Sequence, residues 1–205
     1  MKKMTKKSEQ EFCAVKTENG SWREEVCLKK AIHMLILYLK TIEIPPDREI
    51  IVAGGRGIKE KKDFHSLHLL ADALGGGVGA SRPLIDEGWF PGEMQMGING
   101  RRVELGLYIA VGISGAFQHL AAVREAEYVI VINTDRNAPF FERADFGIAG
   151  DYREILPLLL YEIRSSYIFS EKNTREGYGN SVGNGLEVTG FERNWKSPFA
   201  GEFVR

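Results

Sequence analysis

The chain has 205 residues, a formal charge of −1 and 43% hydrophobic residues. This is an ordinary soluble globular composition with room for one domain and extra elements, and its balanced charge gives no global attraction to nucleic acid or a membrane surface. The longest apolar stretch, AIHMLILYLKTIEI (31–44), is too short to span a bilayer and is broken by Lys40.

In chain order, residues 1–20 are polar and read as mobile. The opening MKKMTKKSEQ has neither the apolar centre of a secretory signal nor the Arg-rich pattern of a transit peptide, so a cytoplasmic protein is expected. Residues 22–40 read as a helix, with Val26, Leu28, Ala31, Ile32, Leu35 and Leu39 near helical spacing. Pro45-Pro46-Asp47 ends it, and EIIVA (49–53) reads as a buried parallel strand. That strand runs into Gly54-Gly55-Arg56-Gly57. Asp63 then stands where a helix cap is expected, before a face of Phe64, Leu67, Leu70, Ala71 and Leu74.

The same rhythm repeats. A short strand, VGA (78–80), stops at Ser81-Arg82-Pro83, and residues 84–103 read as loop. Strand LYIAV (107–111) stops at GISG, a helix follows over 115–125, and YVIVI (128–132) stops at Asn133-Thr134-Asp135. A last short strand near 146–150 stops at Asp151, a cap for a helix over 152–165 that Pro157 would disturb beyond its first turn. The tail, 170–205, has no periodicity and reads as an extended arm or as partner-covered, with Phe191, Trp195 and Phe199 as candidate anchors. Alternating strands and helices predict an α/β fold with a mainly parallel sheet.

In such a sheet the strand-to-helix turns share one edge, where a ligand binds. Arg56, Ser81, Arg82, Ser114, Asn133 and Asp151 therefore converge. Small residues admit a ligand to the backbone, arginines favour phosphate, and the later Asn and Asp suit a ribose or base. The set points to a nucleotide-type ligand. Gly75, Gly77 and Ala80 match G-x-G-x-x-A, but they follow a helix and precede a strand, the reverse of the dinucleotide fingerprint. His119 by itself reads first as a partly buried helix residue bonded to a backbone carbonyl. Cys13 and Cys27 form no CxxC motif and read as reduced thiols, and the four histidines make no metal-ligand set.

GGRG before a helix, then VGASR, QMGING (95–100), LYIAVGISGAFQHL, IN-x-D and AP-x-F-x-x-AD-x-G, in that order over residues 49–165, resemble the C-terminal FAD-binding domain of the electron transfer flavoprotein α subunit. The resemblance implies a doubly wound, Rossmann-like α/β fold of the DHS-like NAD/FAD-binding kind, with helices on both faces and FAD as cofactor. Residues 1–48 would be an N-terminal extension with one helix, and 166–205 a C-terminal arm. The family's large N-terminal domain has no counterpart in residues 1–48.

Carried over by position, the resemblance puts Arg56 and Ser81 on the cofactor site and Arg82 near the flavin ring, where a cation favours reduced anionic flavin. Met96, Gly97, Ile98 and Asn99 approach the isoalloxazine. Ser114, Gly115, Ala116, Phe117, Gln118 and His119 contact flavin and phosphate, with His119 a donor to the flavin O2 side. Asn133, Asp151 and Tyr152 fall on the adenosine. A donor beside N1–O2 stabilises the charge that appears on reduction and raises the potential. The family's Gln-Thr-Gly is Ile98-Asn99-Gly100 here, so an amide replaces the hydroxyl near flavin N5.

The resemblance implies an electron carrier rather than a substrate-converting enzyme, with a β-like subunit or another redox partner. A nucleotide- or FAD-binding assembly module without electron transfer is the alternative. An enzyme acting on a small substrate ranks last, because no nucleophile–base pair or metal set is present. Self-association is expected, since the sheet edge and the apolar helix 31–44 need covering.

Overall fold

The structure is a computed structural model that describes residues 12–96 and 104–165, all within the first of the two units, 1–174 and 175–205, into which chain contacts divide the protein. Strand β1 (Phe12–Lys16) and strand β2 (Trp22–Cys27) form an antiparallel hairpin. Helix α1 (Leu28–Thr41) follows, then β3 (Glu49–Gly54), α2 (Phe64–Leu74) and β4 (Gly77–Ser81). Next come the short α3 (Arg82–Asp86), β5 (Gln95–Met96), β6 (Leu105–Val111) and α4 (Phe117–Ala122). The series ends with β7 (Tyr128–Asn133), α5 (Phe140–Arg143), β8 (Phe146–Ala149) and α6 (Tyr152–Ser165).

The strands form one sheet in the order β2-β1-β8-β7-β6-β3-β4-β5. From β8 to β5 every pair is parallel, and only β1 runs antiparallel to its neighbours, β2 and β8. The chain starts its parallel part at β3, builds outward to β5, then returns to β6 on the other side of β3. The order reverses between β3 and β6, and the two helices that leave those strands cover opposite faces. Alternate residues explain this. Ile50, Val52, Leu107, Ile109, Ile130 and Ile132 pack with α1, α2 and α6, whereas Ile51, Ala53, Tyr108, Ala110, Val129 and Val131 pack with Val123, Ala126, Phe140 and Phe141. The domain is therefore doubly wound.

Four expectations are corrected. Residues 22–40 are not one helix, because Trp22–Cys27 pair with β1, and only from Leu28 does the apolar spacing build a helical face of Ala31, Ile32, Leu35, Ile36 and Leu39. Phe12–Lys16, expected among mobile residues, pair with β2 on one side and β8 on the other. Cys13 and Val15 are too short an alternation to announce a strand, and the partner β8 lies far along the sequence. Lys16 is buried beside them, with Nζ donating to the carbonyls of Phe141 and Ala144.

Within 84–103, expected to be loop, Leu84–Asp86 continue α3, Gly92–Met94 form a single 3-10 turn and Gln95–Met96 form β5, while residues 97–103 lie outside the described part. Pro157 sits inside α6 beyond its first turn, and the helix runs through it, held by Ile155, Leu156, Leu159 and Leu160 in the core. Cys13 and Cys27 are free thiols, and burial pushes the Cys13 thiol up to about 11, away from thiolate chemistry. Among the described residues no helix is long and apolar enough to cross a membrane.

Candidate cofactor crevice

A cavity of about 570 Å³ opens at the carboxyl ends of the parallel strands, within the range of small-molecule and cofactor sites. Its centre is the reversal point between β3 and β6. There the two strand tips are bound to each other: Gly55 N donates to Val111 O at 2.9 Å, and Gly57 N to Gly112 O at 2.9 Å. Gly112 has φ +62, and a Cβ on it would sit 2.9 Å from Gly57 Cα. Gly115 has φ +88 and lies against Phe140, so both turns need a residue without a side chain.

Of the residues expected at a site, nine line this cavity: Arg56, Ser81, Arg82, Met96, Ser114, Ala116, Gln118, His119 and Asn133. Gly97, Ile98 and Asn99 lie outside the described residues. Gly115 and Phe117 are next to the lining but not part of it, and the Phe117 side chain is 78% exposed.

Asp151 and Tyr152 stand off the cavity lining. Asp151 caps α6 by accepting Arg153 N at 2.9 Å. Tyr152 OH donates to Asp63 Oδ2 at 2.5 Å and accepts Lys59 N at 3.3 Å, tying the segment after GGRG to the start of α6. With the Arg153 guanidinium, the Tyr152 hydroxyl holds the Asp63 carboxyl below its usual range. Asp63, expected to cap α2, makes no capping bond with its side chain, because that carboxylate serves Tyr152 and Arg153.

Sequence reasoning missed Gln95, Asp86 and Asp135 as wall residues. Asp135 belonged to the IN-x-D motif, so that signal was available. Gln95 opens the QMGING stretch in the same way.

Two residues organise the wall. Asn133 is buried at the end of β7, where Nδ2 donates to Ile113 O at 3.0 Å and Oδ1 accepts Asp135 N at 3.0 Å. Its amide thus bridges the tips of β6 and β7, leaving one amide hydrogen for a ligand. His119 is buried too, bonded not to a backbone carbonyl but to Tyr108, with Nε2 2.8 Å from the hydroxyl. Its ring meets Phe140 edge-on at 5.5 Å.

Burial lowers the His119 pKa from 6.5 to about 4, so the ring is neutral near neutrality. Between those two values the unfolded chain binds a proton here and the folded one does not. Stability therefore falls as pH falls from 6.5 towards 4 and this contribution is flat below, a loss on the order of 3 kcal/mol. Urea midpoints measured across that window should fall less steeply for His119→Gln than for the parent, and equal slopes would refute the assignment.

The charged wall residues are two arginines, Arg56 and Arg82, and two aspartates, Asp86 and Asp135. Arg56 is exposed at the tip of β3 and has no ion pair among the described residues. Arg82 pairs with Asp86 at 3.4 Å on the exposed start of α3, a contact that solvent weakens. Ser81 Oγ is, among the described residues, the one buried side-chain polar atom that lacks a hydrogen-bond partner. An orphaned hydroxyl on a cavity wall is costly unless a ligand completes it.

Fold and crevice together define a class, a doubly wound α/β domain with a ligand crevice at the switch point of its sheet. The comparisons narrow it. Residues 46–124 match the family model of the electron transfer flavoprotein FAD-binding domain. The α subunit of electron transfer flavoprotein from Mycobacterium tuberculosis is 45% identical over 57% of this chain and 36% of its own length. That of Thermoanaerobacterium thermosaccharolyticum is 47% identical over 58% and 36%. The mitochondrial α subunit of Dictyostelium discoideum is 46% identical over 57% and 33%. The chain is related to these α subunits, and the match spans about a third of their length.

Proposed function

We propose that the chain binds FAD in the switch-point crevice and serves as an electron carrier in a reducing, cytoplasmic setting. The observation that carries this is the cavity itself, formed where β3 and β6 diverge inside the stretch that matches the flavoprotein domain. The residues present fit the cofactor. The unpartnered Ser81 hydroxyl offers a donor to a carbonyl or phosphate oxygen, and Arg56 offers a charge to a phosphate. The glycine tips admit a ligand to the backbone, and Asp135 on the wall offers a carboxylate that can accept ribose hydroxyls. Bound FAD would supply the redox chemistry, and the chain's part is to hold, orient and tune it.

Gln118 and His119 present polar groups on the α4 side, and Met96 supplies an apolar surface on the β5 side. Phe117 projects beside the crevice, an apolar side chain suited to a redox partner or a β-like subunit. The test is to add FAD to the purified protein, remove free cofactor and record the visible spectrum. Retained flavin that dithionite reduces and an added acceptor dye reoxidises is the expected result. Absence of binding at micromolar FAD refutes the reading. A bound flavin that exchanges no electrons with any acceptor favours an assembly module instead.

A further inference from the structure

Tyr108 lies within β6, fully buried, and its hydroxyl is 2.8 Å from His119 Nε2. Its ring packs against Phe140 at 6.0 Å, a contact that phenylalanine would make as well. The hydroxyl is therefore the part of the residue that asks for a role. A buried phenol proton without an acceptor is costly. If Nε2 carried the imidazole proton and donated it to the phenol oxygen, the phenol proton would be left without an acceptor. If the phenol donates to Nε2, that proton is satisfied, and the imidazole proton must reside on Nδ1. Nδ1 has no partner among the described residues and is not among the buried orphaned atoms, so it opens on the cavity that His119 lines.

We propose that Tyr108 is a positioning residue: its hydroxyl donates to His119 Nε2, fixes the imidazole as the Nδ1–H tautomer and leaves that N–H as a neutral donor on the cavity wall. The ligand group it suits is an electron-rich oxygen, a ring carbonyl or a phosphate. Burial keeps the ring neutral, so the site gains a directed donor without a buried charge. The tautomer follows from this chain's geometry alone. Its consequence for FAD rests on the function proposed above.

The two are tested separately. Long-range proton–nitrogen correlation spectra of the 15N-labelled full chain, recorded without FAD, report which imidazole nitrogen of His119 is protonated. The signal is assigned by its loss in His119→Gln. Protonated Nδ1 and unprotonated Nε2 are expected, and protonated Nε2 overturns the proposal. In Tyr108→Phe the phenol no longer biases the ring, so the Nδ1–H population should fall below that of the parent, and an unchanged pattern also overturns it. For FAD, Tyr108→Phe should raise the dissociation constant roughly tenfold, the effect of one directed hydrogen bond. An unchanged constant overturns the positioning role. If the parent chain binds no FAD, the functional reading fails and the spectra alone decide the tautomer.

Discussion

Replacing Gly112 by valine should abolish FAD binding and lower the melting temperature by about 6–15 °C, the equivalent of ~3–5 kcal/mol in a domain of this size. Two costs add. At φ +62 a β-branched side chain is strained whatever space surrounds it. Space is also lacking, because a Cβ would stand 2.9 Å from Gly57 Cα, 3.0 Å from Gly57 C and 3.0 Å from Ile58 N. All three are backbone atoms and cannot swing aside, so the β3 and β6 tips must separate. The bond from Gly57 N to Gly112 O then breaks, and the crevice loses its floor. Far-UV circular dichroism should stay close to the parent, since the strands below the tips are untouched. A valine variant with parental melting temperature and FAD affinity would contradict this account of the turn.

Asn133→Ala should cost ~3 kcal/mol and at least tenfold in FAD affinity. The side chain joins Ile113 O to Asp135 N, and removing it leaves a buried carbonyl and a backbone N–H without partners. The tips of β6 and β7 then keep only backbone bonds such as Gly112 N to Ile132 O, and Ser114 and Asp135, both on the cavity wall, are held less firmly. Asn133→Asp is the sharper comparison. It keeps the acceptor for Asp135 N but turns a carboxylate oxygen towards Ile113 O, replacing attraction by repulsion. It should destabilise at least as much as alanine at neutral pH. Thermal melts of the two variants check the order, and an aspartate variant as stable as the parent would show that the amide is not the bridge.

How far the sequence reveals this molecule depends on whether a signal is local. The β-branched runs at 49–53, 107–111 and 128–132 mark β3, β6 and β7, and their glycine or Asn-x-Asp endings mark the tips. The wall residues Arg56, Ser81, Ser114 and Asn133 were legible for that reason. Strand order is not local. That β3 and β6 are neighbours, and so where the crevice is centred, follows from how the whole sheet packs. The N-terminal hairpin was hidden in the same way, since Cys13 and Val15 become a strand through pairing with β8, and Trp22–Cys27 gave up a helical reading to pair with β1.

Side-chain tasks are less legible still. Asn133 suits a ligand contact and an internal bridge equally by residue type, and only its distances to Ile113 and Asp135 separate the two roles. Asp151 was grouped with the tips because it ends a strand, but its carboxylate is used by α6. His119 was read first as a buried helix residue and then, through the resemblance, as a flavin contact. The structure places it on the cavity wall and gives it a partner, Tyr108, that no spacing rule predicts.

The proposed function requires FAD to occupy the crevice at the joined tips of β3 and β6. Titrating the 15N-labelled chain with FAD and following its backbone amides tests it most directly. The account predicts saturable shifts at Gly55, Arg56, Gly112, Ser114 and His119, with little change at the far ends of the same strands. Saturating FAD that leaves those amides unmoved, or that moves amides only elsewhere, would contradict it.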